Sequence, residues 1–161
     1  VLVERNKEHA AALEARLRTV TPGAQHHVLR GDCNALVSQI VDAIGFRRPI
    51  IFAFVDPEGM EILWDTIESL ASQFANLDLL INLTAGSERE LGAIRATGKS
   101  PARLESFTGI LLDQILLEFQ GNVTQAYRSR VMTALGKQQG EMALIRGDQN
   151  QPLSVVGHGL T

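Results

Sequence analysis

Acidic residues stand at the ends of three successive predicted strands. Glu4 ends the first strand, Asp32 follows the second and Asp56 follows the third. The carboxyl ends of parallel strands meet at one edge of a sheet, and ligands of open α/β folds bind there. We therefore expect the three carboxylates to lie side by side along one rim of a single sheet, around a hollow that fits a nucleoside.

The third of these strands is the most apolar part of the chain. Residues 50–59 read Ile-Ile-Phe-Ala-Phe-Val-Asp-Pro-Glu-Gly, and an uninterrupted apolar run predicts a central strand of a parallel sheet, buried on both faces. Pro57 stiffens the turn and Gly59 permits unusual backbone angles. Asp56 is interpreted as the group that orients an attacking amine or hydroxyl, or acts as general base, with Glu58 as a second candidate. The alternative is that Asp56 only caps the next helix.

The other two acids have the chemistry to bind a nucleoside. A carboxylate at the tip of the second strand of a dinucleotide-type fold can accept hydrogen bonds from both ribose hydroxyls, which is the role predicted for Glu4. The alternative for Glu4 is a solvated surface acid. Asp32, between Gly31 and Asn34 in the order of the chain, could read the amino group of an adenine, or it could simply cap the helix that starts there.

Strands and helices alternate along the first half of the chain. The pattern predicts strands at 1–4, 26–30, 49–55 and 77–83 and helices at 7–20, 34–44 and 61–74. Residues 84–106 are polar and predict a long excursion, with a short helix near 88–96, of the kind that forms a lid or binding loop. Helices are predicted again at 109–120 and 123–135, and a hairpin at 142–145 and 153–156 around 147–150.

This order predicts an α/β protein with a doubly wound, mostly parallel sheet and a C-terminal antiparallel hairpin. Such a layout is that of the methyltransferase variant of the Rossmann fold. With 161 residues we expect one domain, 1–161. The chain opens directly on a strand and lacks a Gly-x-Gly-x-x-Gly motif. We therefore expect the first strand of the fold, with its glycine-rich loop, to be missing from the N-terminus.

Composition excludes several classes of function. The net charge of -3 gives no global basic field for nucleic acid. The single cysteine, Cys33, forms no internal disulfide and suits the cytoplasm. No apolar run reaches the ~20 residues that span a bilayer. The four histidines show no metal-ligand spacing, so no metal is assigned.

The chain resembles the three-Cys-motif partner proteins, a bacterial family with a methyltransferase-like fold. The resemblance rests on residues 54–59, 64–67 and 78–82, and it continues through Val3-Glu4, residues 31–34 and residues 127–130. It implies an S-adenosylmethionine site with Glu4 at the ribose and Asp32 near the adenine, and with Cys33 and Asn34 as further cofactor-binding residues. It also implies a partner, a neighbouring radical-type protein with three cysteines.

Residues 56–59 are also similar to the Asp-Pro-Pro-aromatic motif of amino-group methyltransferases, in which Asp and a proline carbonyl hold a planar amine. Glu58 and Gly59 replace the second proline and the aromatic residue. That difference argues against carrying the base-methylation mechanism over intact.

Three functions follow from these observations. The first is a methyltransferase that uses S-adenosylmethionine, with Asp56 and Pro57 at the acceptor, whose identity the sequence does not give. The second is a non-catalytic module that binds the three-cysteine protein. The third is a nucleic-acid enzyme in which positive charges between Arg89 and Arg103 meet phosphates.

Overall fold

The computed structural model describes residues 1–45, 49–57, 59–84, 86–136, 141–146 and 152–157. The protein is a mixed α/β chain in which strands and helices alternate, as predicted. Its strands are β1 (Leu2–Glu4), β2 (Val28–Arg30), β3 (Ile51–Val55), β4 (Leu77–Thr84), β5 (Glu141–Arg146) and β6 (Pro152–Gly157). Its helices are α1 (Lys7–Val20), α2 (Val37–Ile44), α3 (Trp64–Gln73), α4 (Gly86–Thr97), α5 (Ala102–Thr108), α6 (Leu112–Glu118) and α7 (Val123–Ala134).

The chain divides into two compact units, Val1–Pro49 and Ile50–Thr161. In the first unit, β1 and β2 pair in parallel, with Glu4 opposite Arg30. Helix α1 makes the crossover between them. Its N-cap is Asn6, whose side chain accepts hydrogen bonds from two amides of the first turn. A 3-10 turn (Cys33–Ala35) then leads into α2. The prediction of a single domain stays a prediction.

The second unit is built on a four-stranded sheet in the order β3-β4-β6-β5. Strands β3 and β4 are parallel, with α3 as their crossover, whereas β6 pairs antiparallel with both β4 and β5. The turn predicted at 147–150 lies outside the described residues. The three acid-bearing strands were expected in one sheet, and that prediction is wrong: β1 and β2 form one sheet and β3 belongs to another.

Strand β3 is not the doubly buried central strand that its apolar sequence predicts. Among the described residues it pairs only with β4 and so lies at the edge of its sheet. Its side chains alternate, and Phe52 and Phe54 remain 68% and 59% exposed while their neighbours are half-buried. Apolar composition alone cannot distinguish a strand covered on both faces from one that presents an apolar face, which is why the prediction failed.

The polar stretch 84–106 is mostly helical, rather than the long excursion with one short helix that was predicted. Helices α4 and α5 occupy most of it, and Leu91, Ile94 and Leu104 are buried. The glycines that suggested a loop lie at a helix end or on an exposed face: Gly98 has a φ of +67° just after α4, and a Cβ on Gly92 would meet no side chain within 4 Å. Leu91 and Ile94, three residues apart on α4, give that helix a buried face despite its glycines.

The core of the second unit contains an aromatic cluster. The rings of Phe107 and Tyr127 stack with centroids 4.8 Å apart, and Trp64 meets Tyr127 edge-on at 6.1 Å. Gly109 ends α5 with a φ of +67°, and a Cβ there would lie only 2.3 Å from Trp64. Trp64 is therefore a core residue.

Candidate functional site

Glu4 ends β1 with its carboxylate partly anchored. Its Oε1 accepts a hydrogen bond from the Asn6 backbone N–H at 2.6 Å, while the Asn6 side chain caps α1. The strand thus passes into the helix through a turn that holds the acid in place. Glu4 is half-buried, and its second oxygen, Oε2, makes no hydrogen bond within the described part of the chain.

Asp32 is brought next to this edge by a glycine turn. The Gly31 N–H donates to the Glu4 carbonyl at 3.0 Å, which extends the pairing of β1 and β2 by one residue. Gly31 has a φ of +150°, and a Cβ there would meet Leu36 at 3.0 Å. Glycine is therefore required for the chain to turn at this point.

The Asp32 side chain caps the 3-10 turn, as its capping interpretation predicts. Its Oδ1 accepts from the Asn34 backbone N–H at 3.0 Å. The residue is exposed, and its Oδ2 has no hydrogen-bond partner in the segments that the structure describes. Cys33 and Asn34 lie within this turn and are half-buried. Capping therefore engages one oxygen of Asp32 and leaves the other available.

Asp56 and Asn82 form a polar pair in the second unit. The parallel register sets Val55 opposite Ile81, so the next residue of each strand stands side by side. The Asn82 Nδ2 donates to Asp56 Oδ1 at 2.6 Å. Asp56 is exposed, whereas the Asn82 Oδ1 is buried and has no partner in the described segments. The Asn82 side chain is thus only partly satisfied: its amide nitrogen donates to the Asp56 carboxylate, and its amide oxygen is left without a hydrogen bond in the described segments.

The turn after β3 also meets a positive charge. Pro57 is half-buried directly after Asp56, while Glu58 lies outside the described residues. A Cβ on Gly59 would stand 3.7 Å from the Nη2 of Arg103, the second residue of α5. The guanidinium of Arg103 is exposed and makes no ion pair within the described segments.

The structure thus groups the predicted site residues in two sets. Glu4 joins Asp32, Cys33 and Asn34 at the carboxyl edge of the β1–β2 pair, and Asp56 and Pro57 lie at the carboxyl edge of the β3–β4 pair. Arg103 was expected on the long excursion of residues 84–106, and the structure places it on α5. The helical spacing of 84–106 could have shown that this residue is fixed on an ordered element.

Within the described segments, no three His, Cys, Asp or Glu side chains gather as a metal site would require. The helices that the structure describes include none with the length and apolar character needed to cross a membrane. Comparisons with protein-family models, with curated proteins and with solved structures return no match.

Proposed function

We propose that this protein is an S-adenosylmethionine-dependent methyltransferase-like protein of the three-Cys-motif partner type. The observation that carries the proposal is the placement of Glu4 and Asp32 at the same edge of two hydrogen-bonded parallel strands. The carboxyl edge of a parallel sheet is where nucleotide cofactors bind in open α/β folds. The finer architecture, a doubly wound methyltransferase sheet closed by an antiparallel hairpin, is part of this proposal.

The chemistry of the first unit fits the nucleoside part of the cofactor. Ribose hydroxyls and the adenine amino group are donors, and carboxylate oxygens accept from them. Glu4 and Asp32 each fix one oxygen on a backbone N–H, which orients the carboxylate, and each leaves its other oxygen available. In this role Glu4 accepts from the ribose and Asp32 accepts from the adenine. Cys33 and Asn34 line the adenine end.

The second unit supplies the group that would hold the methyl acceptor. The Asn82 amide fixes one oxygen of Asp56 and leaves the other free to accept an N–H or O–H of the acceptor. Pro57 removes a competing backbone donor beside that oxygen and stiffens the turn. S-adenosylmethionine, when bound, would supply a methyl group activated on its sulfonium.

Isothermal titration with S-adenosylmethionine and S-adenosylhomocysteine tests the cofactor assignment. Glu4→Gln keeps an oxygen for the Asn6 amide, and Asp32→Asn keeps a good helix cap, so both variants remove charge while preserving the fold. Each is expected to weaken binding about tenfold, or about 1.4 kcal/mol. Asp42→Asn, an exposed acid on α2, is the matched control and should bind as the unaltered protein does. Absence of binding at millimolar ligand, or equal binding by all four proteins, would overturn the assignment.

A second candidate function, the non-catalytic partner module, is favoured by one observation. Phe52 and Phe54 are 68% and 59% exposed on one face of β3, and Ile50, the residue just before the strand, is 84% exposed. A row of exposed apolar side chains on an edge strand is typical of a protein-binding surface. The occupant in this case is the three-cysteine protein that the resemblance implies.

Co-purification with that protein separates the two candidates. If the module only binds, Phe52→Ser with Phe54→Ser should abolish the complex, while Glu4→Ala and Asp56→Ala leave it intact. A complex that survives the two serines removes this candidate, and self-association that is lost in the serine variant would show that a second copy of the chain covers the strand instead.

A further inference from the structure

Arg103 carries an exposed positive charge beside Gly59, three residues after Asp56. The acids around it on α4 and α5 are engaged elsewhere: Glu90 pairs with Lys99 at 2.7 Å, and Glu105 accepts the Leu112 N–H at 2.8 Å. Arg103 itself makes no ion pair within the described segments. Its guanidinium is therefore available to an external anion.

The backbone brings this guanidinium to the turn that carries Asp56. Gly59 has no side chain, and the Arg103 Nη2 lies 3.7 Å from the point that a Cβ would occupy. Asp56 precedes Gly59 by three residues and is held by Asn82 through its Oδ1. An exposed carboxylate and an exposed guanidinium thus flank one turn, and no hydrogen bond or ion pair joins them.

These two groups recognise opposite chemistry. A carboxylate accepts from N–H or O–H groups, whereas the fork of a guanidinium matches the oxygens of a phosphate. A ligand that satisfies both carries a donor group and a phosphate within the span of one short turn. A neutral ligand would satisfy Asp56 and leave the guanidinium without a counter-ion.

We propose that Gly59 and Arg103 form a phosphate-binding subsite beside Asp56, so that the methyl acceptor is a phosphate-bearing molecule whose donor group meets Asp56. That this ligand is the methyl acceptor rests on the proposed function, whereas phosphate binding at the subsite is tested by binding alone. The phosphate could belong to a free nucleotide or to a single-stranded nucleic acid, which share this chemistry.

The test is an NMR titration of backbone amides and arginine Nε–H groups with inorganic phosphate, AMP, adenosine and a short single-stranded oligonucleotide. We expect saturable shifts of the Gly59 amide and the Arg103 Nε–H with phosphate and AMP and none with adenosine. Arg103→Ala should remove the response at Gly59, and Arg103→Lys should weaken it several-fold, because lysine keeps the charge and loses the fork.

Arg95→Ala is the matched control, since Arg95 is also exposed and makes no ion pair in the described segments, but lies against Gly121 rather than Gly59. Its response to phosphate at Gly59 should be unchanged. Tighter binding of the oligonucleotide than of AMP would identify a chain phosphate, and the reverse a free nucleotide. No shift at Gly59, or an equal shift in Arg103→Ala, overturns the subsite. Absence of S-adenosylmethionine binding overturns the proposed function and leaves this result standing.

Discussion

The Asn82 amide donates to the Asp56 carboxylate at 2.6 Å across two neighbouring parallel strands. The residues are 26 positions apart in the chain, and the register of β3 with β4 brings them together. A hydrogen bond to an ionised acceptor is among the stronger ones in proteins. The bond orients the Asp56 carboxylate, which in the proposed function holds the methyl acceptor.

A double-mutant cycle measures this bond. Asp56→Ala, Asn82→Ala and the double variant should show a coupling of about 1 kcal/mol in the free energy of unfolding, because either single change already removes the bond. Chemical denaturation followed by the fluorescence of Trp64, the one tryptophan of the chain, provides the measurement. The matched cycle pairs Asp56→Ala with Asp113→Ala, an exposed acid on α6, and should be additive. Additivity in both cycles would contradict a stabilising bond.

Asp56 directly follows β3, as predicted, but β3 is not buried on both faces. That an acid follows β3 depends only on where the apolar run stops, which the sequence shows directly. Whether Phe52 and Phe54 are covered depends on what packs against them, and an apolar run carries no information about that partner. The distribution of the acids between two sheets likewise depends on which strands pair, a long-range property that local patterns do not encode.

Glu88, on α4, accepts two hydrogen bonds from the first turn of α7, beside its N-cap Asn122. Its Oε1 accepts from both the N–H and the Oγ1 of Thr124, at 3.0 and 3.1 Å, at the first turn of α7. Glu88→Ala should lower the free energy of unfolding by about 1 kcal/mol, since it leaves an orphan amide and removes a negative charge from the positive end of the helix. Glu118→Ala, another exposed glutamate, is the control and should change stability by less than about 0.5 kcal/mol. Equal effects of the two changes would argue that the cap contributes nothing.

Alanine substitutions at two glycines with the same backbone angle separate the cost of backbone strain from the cost of a steric clash. Gly98 and Gly109 both have a φ of +67°, but a Cβ on Gly98 would meet nothing within 4 Å, whereas a Cβ on Gly109 would clash with the Trp64 ring. Gly98→Ala should cost about 1 kcal/mol of unfolding free energy from the left-handed backbone alone. Gly109→Ala should cost about 2 kcal/mol more, because the aromatic cluster must move. Thermal or urea unfolding checks the difference, and a similar loss for both variants would mean that Trp64 is not packed on Gly109.

Buried Tyr127 should make the free energy of unfolding depend on pH in the alkaline range. It is fully buried, and desolvation raises the pKa of its phenol far above the ordinary value. The folded state therefore retains a proton that the unfolded state releases above about pH 10. Below that pH both states are protonated and the residue causes no pH dependence. Above it, the free energy of unfolding falls as pH rises, by up to about 1.4 kcal/mol per pH unit.

Urea unfolding of the unaltered protein and of Tyr127→Phe, between about pH 8 and about pH 11, isolates this contribution from other titrating groups. The extra slope should be absent in the variant. At neutral pH the variant should be as stable as the unaltered protein, or up to about 1 kcal/mol more stable, because the buried hydroxyl has no hydrogen-bond partner in the described segments. Tyr127 is the one tyrosine of the chain, so tyrosinate absorbance reports on it alone. Tyrosinate that forms near pH 10 while Trp64 fluorescence stays native would show that the phenol is accessible to solvent in the folded protein.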